Sequence, residues 1–215
     1  MYNNDQMLDI VVSALCIIAI VAGGEYLFRN RKVPAEIARK SIHASCGVFI
    51  AFLPLWMSYQ AIVALSILLV LGNIANHKLK KLKSISSIKR QSRGDVIFGI
   101  GIMLCAMFEP PAWIFIAAVL HLAIADSLAA VVGEVIVKRR GSYHILGNHK
   151  TVFGTITFAF VSLLVVGVAA LLSGTELSLQ LLWVPLIATV TENLSSGGYD
   201  NATIPFFVMI FLMTL

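Results

Sequence analysis

The stretch AWIFIAAVLHLAIADSLAAVVGEVIV, residues 112–137, decides what kind of molecule this is. About 20 consecutive apolar residues suffice to cross a bilayer as a helix, and this run exceeds that. Past its middle it carries Asp126, and a charge near the bilayer centre costs at least about 2.5–3.5 kcal/mol on insertion scales. A carboxylate kept at that cost reads as functional. At i+3, i+4 and i+7 from it lie Ala129, Ala130 and Gly133, a narrow face of small residues that lets a second helix or a ligand approach the backbone. His121, five residues earlier, falls about 140° around an ideal helix and reads as a neutral, hydrogen-bonded interior histidine.

Further apolar runs lie near 8–28, 42–58, 60–76, 95–108, 152–173, 179–192 and 202–215. The last would make only about 21 Å of helix at 1.5 Å per residue. Of the 215 residues, 59% are hydrophobic and 13% charged, with a mean hydropathy of +0.89. Soluble domains carry about 25% charge, so this chain cannot cover a globular surface. The sequence predicts an all-α, polytopic membrane bundle of seven to eight transmembrane helices, with residues 1–215 as a single integral membrane domain. Secreted, disordered, collagen-like and nucleic-acid-binding proteins are excluded. Cys16, Cys46 and Cys105 fall in apolar segments without CxxC spacing, which suggests neither disulfides nor a zinc site. Residues 1–9 lack Lys and Arg, so the first run is expected to stay in the protein rather than act as a cleaved leader.

The basic residues predict the orientation. Arg29, Arg31, Lys32, Arg39 and Lys40 follow the first run; Lys78, Lys80, Lys81, Lys83, Lys89, Arg90 and Arg93 follow the third; Lys138, Arg139, Arg140 and Lys150 follow the fifth. These are all sixteen Lys and Arg of the chain. With the N-terminus outside, every one of these loops is cytoplasmic, as the positive-inside rule requires. The compact size fits a prokaryotic cytoplasmic membrane.

Several polar residues gather on that side. Arg39, His43 and Gly47 are spaced i, i+4, i+8 and read either as an anion site or as interfacial snorkelling of Arg39 and Lys40. Gly94-Asp95 opens the fourth run, where a helix dipole also favours an acid. Glu192 closes the seventh run, where the dipole disfavours a carboxylate, so a cationic partner is expected. Beyond it, Ser195, Ser196, Gly197, Gly198, Asp200 and Asn201 offer hard oxygen ligands suited to Mg²⁺. The segment with Lys138, Arg139, Arg140, Gly141, Gly147, His149 and Lys150 reads as a loop, either topological or able to cradle phosphates, and it is not a Walker A sequence. Carboxylates facing cations at the lipid boundary suggest metal-assisted chemistry on phosphates.

In order and topology these blocks resemble the dolichol kinase, phytol kinase and CTP-dependent diacylglycerol kinase family, and more distantly phosphatidate cytidylyltransferase. The resemblance rests on Arg39-Lys40-Ser41-Ile42-His43, Gly94-Asp95, Asp126-Ser127-Leu128-Ala129-Ala130 through Gly133, Lys150-Thr151-Val152-Phe153-Gly154-Thr155, Glu192, and Asp200-Asn201-Ala202-Thr203-Ile204-Pro205. It implies transfer of a phosphoryl group to a membrane lipid alcohol, with CTP as donor (ATP being the other candidate) and a divalent metal such as Mg²⁺. By position, Asp126, Glu192 and Asp200 would serve the metal. Asp126 or Asp95 would be the base, with Arg39 and His43 supporting the reaction centre. Lys138, Arg139, Gly147, His149, Lys150, Thr151, Gly154 and Asn201 would contact the nucleotide. The chain departs from the family pattern at Glu134, where a basic residue is usual, and at Phe153, where an acidic one is. The alternatives are a cytidylyltransferase, an ion-coupled transporter using Asp126 and Glu192, and an inactive partner subunit.

Overall fold

The computed structural model describes residues 4–31, 33–79, 93–176 and 178–215. Among these, eight helices follow the apolar runs closely: α1 (Asn4–Arg31), α2 (Ala35–Ala51), α3 (Tyr59–Leu79), α4 (Gly94–Met107), α5 (Ala112–Ile136), α6 (Val152–Ser173), α7 (Trp183–Leu194) and α8 (Asp200–Leu212). The largest shift is in α2, which begins seven residues before the expected run and so carries Arg39 and Lys40 on the helix itself. Lys32, Lys80, Lys81, Lys83, Lys89 and Arg90, assigned above to topology, lie outside the described residues.

By length and composition α1, α3, α5 and α6 can each cross a membrane. The apolar helices α4, α7 and α8 are shorter; α4, with 14 residues, extends about 21 Å against a hydrocarbon core of about 30 Å. The expectation of seven to eight spans thus rests, for its remainder, on helices too short to cross upright. Exposed leucines and phenylalanines along α1 and α6, among them Leu8, Leu15, Phe160 and Leu172, form the apolar exterior that a lipid phase requires.

The central post is α5, 67% buried in its apolar window against 17% for α1. Phe115, Leu122, Phe158, Ile62 and Met209 form the heart of the core, drawing on α3, α5, α6 and α8. Two glycines set helix spacing. A Cβ on Gly47 of α2 would lie 2.5 Å from the Ala123 Cβ of α5, and one on Gly101 of α4 would lie 2.3 Å from the Asn201 carbonyl of α8. Small residues at both crossings let the backbones approach without a gap. The post is not a regular α-helix: residues His121–Asp126 and Val131–Ile136 form wider π turns, a geometry that recurs at functional sites.

The expectation of a purely helical chain fails at one place. Residues 142–151 form an antiparallel hairpin, β1 (Ser142–Ile145) and β2 (Asn148–Thr151), with Ile145 opposite Asn148 and Ser142 opposite Thr151. Leu146 and Gly147 make the two-residue turn, both with positive φ (46° and 79°), as a turn matched to strand twist demands. Leucine is uncommon in that conformation, which removes the Asn-Gly signature by which such a hairpin is read. Immediately after β2, the Thr151 hydroxyl caps α6 by accepting from the Gly154 amide at 3.0 Å.

Candidate active site

One cavity of about 760 Å³ opens between α2, α3, α5, the hairpin and the α7–α8 loop. Its floor is Asp126, only 5% exposed, which accepts a charged hydrogen bond from the equally buried Lys40 of α2. The helix packing explains the pairing. Lys40 stands seven residues before Gly47, two turns along the same face, and Asp126 stands three after Ala123, so the Gly47–Ala123 contact brings the two charges together. The sequence had offered Lys40 as a snorkelling residue; it is instead the partner of Asp126. Removing one member of such a pair strands a buried charge at a cost of about 3–5 kcal/mol, while the intact pair adds little net stability. Its retention points to use.

A second pair closes the opposite wall. Lys150 on β2 donates to Glu192 at the end of α7, supplying the cation expected beside that carboxylate. The other oxygen, Glu192 Oε2, is buried with no hydrogen-bond partner among the described residues. Asp200, at the first turn of α8, lines the cavity and interacts electrostatically with Asp126, Lys40 and Lys150. Asp95 accepts from His77 at 2.9 Å, and its second oxygen is likewise buried and unpartnered. His43 sits edge-on to Phe98, ring centroids 4.7 Å apart, with Nε2 on no partner among the described residues.

The hairpin is strapped over this basin. Asn148 donates to the Ser195 carbonyl at 2.8 Å, and the Tyr143 hydroxyl meets both Thr155 (2.6 Å) and Asn193. Neither Tyr143 nor Asn193 drew notice in the sequence, because their partners are 12 and 50 residues from Tyr143 and belong to other elements. Beneath the hairpin, a Cβ on Gly133 would lie 2.5 Å from Thr151 Oγ1. The small-residue face of α5 therefore seats the cap of α6.

Of the expected site residues, the structure brings Arg39, His43, Asp95, Asp126, Arg139, His149, Lys150, Thr151, Gly154, Glu192, Asp200 and Asn201 to this cavity. Asn201 spends its side-chain amide on the Gly94 carbonyl at 2.7 Å, which fixes the start of α4 and thereby Asp95. Lys138 and Gly147 do not line the cavity. Lys138, at φ 48°, turns to a separate shallow recess beside Arg140 and Phe153, and Gly147 serves the hairpin turn. Glu134 lies 3.8 Å from Arg139, so its charge is balanced locally. His121 is fully buried away from the cavity, with Nδ1 2.7 Å from the Ala117 carbonyl, as read from the sequence. The cysteines are unpaired.

Among the described residues the charges lining the cavity balance, with Arg39, Lys40, Arg93, Arg139 and Lys150 against Asp95, Asp126, Glu134, Glu192 and Asp200. Among the described residues no three His, Cys, Asp or Glu side chains come together closely enough to hold a metal ion, so the expected Asp126, Glu192 and Asp200 set is not a preassembled cage. Magnesium does not require one: it commonly binds through one or two carboxylates plus substrate phosphates and keeps several waters. The hard oxygens here, with Glu192 Oε2 unpartnered, fit that mode.

Relatives place the chain. It is 32% identical over 197 residues to a phytol kinase of Synechocystis, covering 87% of this chain and 82% of that protein. It is 28% identical over 184 residues to an uncharacterized protein of Methanocaldococcus jannaschii, covering 80% of this chain and 90% of the relative. No family model matches it, and no solved structure does.

Proposed function

The chain belongs to the phytol kinase-like family of membrane phosphotransferases, and on that premise we propose that it moves the γ-phosphate of CTP to the hydroxyl of a membrane lipid alcohol. One observation carries the reading. Two lysine–carboxylate pairs, one buried and one partly buried, face a single cavity that is polar at one end and apolar at the other, where Ile17, Val21, Ile42, Cys46, Ile50 and Leu69 line it. A soluble nucleotide and a lipid head can meet there and nowhere in pure lipid.

Phosphoryl transfer asks the protein for positioning and for charge placed around the reacting group. Lys150, Arg139, His149 and the Thr151–Thr155 turn form the wall for the triphosphate. Because the described charges lining the cavity balance, a triphosphate needs a countercharge, and Mg²⁺ bound with it would be held by one or two of Asp126, Asp200 and Glu192 together with the phosphates. The ion would supply neutralisation of the phosphate oxygens. His43 stands where the polar and apolar parts meet, its Nε2 unpartnered among the described residues, and so can accept the proton of the lipid hydroxyl. In that step the alcohol oxygen bonds to the γ-phosphorus, the bond from that phosphorus to the β–γ bridging oxygen breaks, and CDP leaves. Asp95 and Asp126 are the alternative bases. Lys40 holds Asp126 in place.

In this reading the shorter helices α4, α7 and α8 also lie in the membrane. The N-terminus is outside, the hairpin faces the cytoplasm of a prokaryotic cell, and residues 1–215 act as one unit.

The test uses membranes containing the chain, Mg²⁺, a lipid alcohol, and CTP labelled at the α or the γ phosphorus. Label reaching lipid from the γ position alone supports the kinase. Transfer from the α position makes the protein a cytidylyltransferase, and transfer from γ-labelled ATP but not CTP changes the donor. No transfer from either nucleotide removes the proposal.

A further inference from the structure

The hairpin over the cavity has two unlike faces, because side chains alternate along a strand. Tyr143, Asn148 and Lys150 turn to Asn193, Ser195 and Glu192 and hold the hairpin down. His144 and His149 take alternate positions, are both exposed, and stand directly opposite each other across the two strands. Their Nε2 atoms are 2.9 Å apart and their ring centroids 3.8 Å. Two imidazoles joined head-on by a linear N–H···N bond would set the centroids about 5.2 Å apart. At least one ring is therefore turned out of line, its nitrogen aimed past its neighbour rather than at it.

We propose that His144 and His149 together bind one divalent transition-metal ion of the Zn²⁺ and Cu²⁺ class, and that the ion clamps the hairpin. Imidazole is the ligand type these ions favour. At bond lengths of about 2.0–2.1 Å, two nitrogens on one ion stand about 2.9 Å apart at a right angle and about 3.3–3.4 Å at a tetrahedral one. The observed separation lies at the near end of that range, so turns of the side chains suffice and the backbone can stay where it is. Each ring would offer its Nε2 lone pair and keep its proton on Nδ1.

Among the described residues no third His, Cys, Asp or Glu joins the pair, so water would fill the remaining positions. Structural zinc sites are closed by four protein ligands; a site with two is open, and its ion exchanges with the free pool. Mg²⁺ prefers oxygen, so the acidic basin and the histidine pair select different ions. Because the pair joins β1 to β2 just outside the Leu146–Gly147 turn, a bound ion would hold the strands together, and His149 also lines the cavity. None of this depends on the kinase reading.

The test uses full-length protein in detergent micelles, freed of any affinity tag and kept in excess Mg²⁺. With one equivalent of Cu²⁺, the electron paramagnetic resonance spectrum should carry hyperfine structure from two nitrogens, and excess Zn²⁺ should remove it. His144→Ala and His149→Ala should each weaken Cu²⁺ binding by about a hundredfold or more, the scale on which linking two binding groups raises affinity. His77→Ala, beside Asp95, should leave the spectrum unchanged. A parent spectrum with one nitrogen or none overturns the proposal whatever the variants do. So does a two-nitrogen spectrum that survives His144→Ala or is lost in His77→Ala, where the ion would sit on the acidic wall. The clamp has its own readout in amide hydrogen exchange. Zn²⁺ at about ten times its Kd should slow exchange across residues 142–151 about tenfold in the parent and not in His144→Gln, since parting the strands must first release the ion. Unslowed exchange in the parent, or equal slowing in His144→Gln, would overturn the clamp.

Discussion

The two ion pairs of the cavity are built in opposite ways. Lys40 and Asp126 join two helices whose spacing is set by Gly47 against Ala123, with no intervening loop. Lys150 and Glu192 join a helix to a four-residue strand, and that strand is held by the bonds of Tyr143 and Asn148 and by one tight turn. The first pair is a product of backbone packing and shifts only if the helices part. The second depends on a few polar contacts at the rim. Within one cavity, the floor is rigid and the roof is adjustable.

Breaking the floor should have the largest effect. Asp126→Asn is expected to lower turnover by about a thousandfold or more, in the range of removing a preorganised electrostatic group, while the protein still reaches the membrane. Lys40→Met alone should destabilise as well, because it leaves Asp126 buried without its partner. The double variant Lys40→Met/Asp126→Asn sharpens the point: thermal stability in detergent should recover toward that of the parent, and activity should not. Recovery of both would reduce the pair to a structural role.

Next comes the roof. Lys150→Ala should abolish most turnover, by about a hundredfold or more, with a raised KM for nucleotide where turnover is measurable. Normal kinetics would remove Lys150 from the site. Gly47→Leu tests the spacing itself. Overpacking costs about 1–3 kcal/mol, and here it should separate Lys40 from Asp126, lowering kcat more than it lowers stability at the assay temperature. A smaller change follows from Tyr143→Phe, which removes the hydroxyl joining the hairpin to Thr155 and Asn193. The expected result is a KM for nucleotide raised about three- to tenfold, corresponding to roughly one hydrogen bond, with kcat little altered. At the bottom of the scale, Lys138→Ala should be almost silent, since that side chain turns away from the cavity. A large loss there would mean that the roof reaches further than its present geometry.

The same contrast explains what could be read from the chain. Helices α3 to α7 were legible to within a few residues because apolar length and period report them directly. Asp126, Glu192 and Asp200 were legible because the membrane makes charge conspicuous, and the order of basic groups placed them on one side. Lys40 was misjudged for the same reason: a cation near a helix end has an inexpensive explanation in snorkelling, and only the Gly47–Ala123 contact reveals the partner. The hairpin was invisible because its strands have four residues each and its turn uses Leu146 in a conformation usually left to Asn or Gly. Tyr143 and Asn148 were therefore invisible with it. Asp126, Glu192 and Asp200 line one cavity as expected, yet among the described residues they form no preassembled cage, since three acids gathered by topology need not converge on one point.

The separation of Lys40 from Asp126 by 86 residues also governs how the protein comes into being. A ribosome adding roughly 5–20 residues per second leaves Lys40 without its partner for roughly 4–17 s after its own synthesis. During that time the lysine of α2 lacks the carboxylate that it meets in the folded protein. The pair can form only once α5 has been made, so the order of synthesis makes the post the last piece of the cavity floor rather than a scaffold already waiting for it.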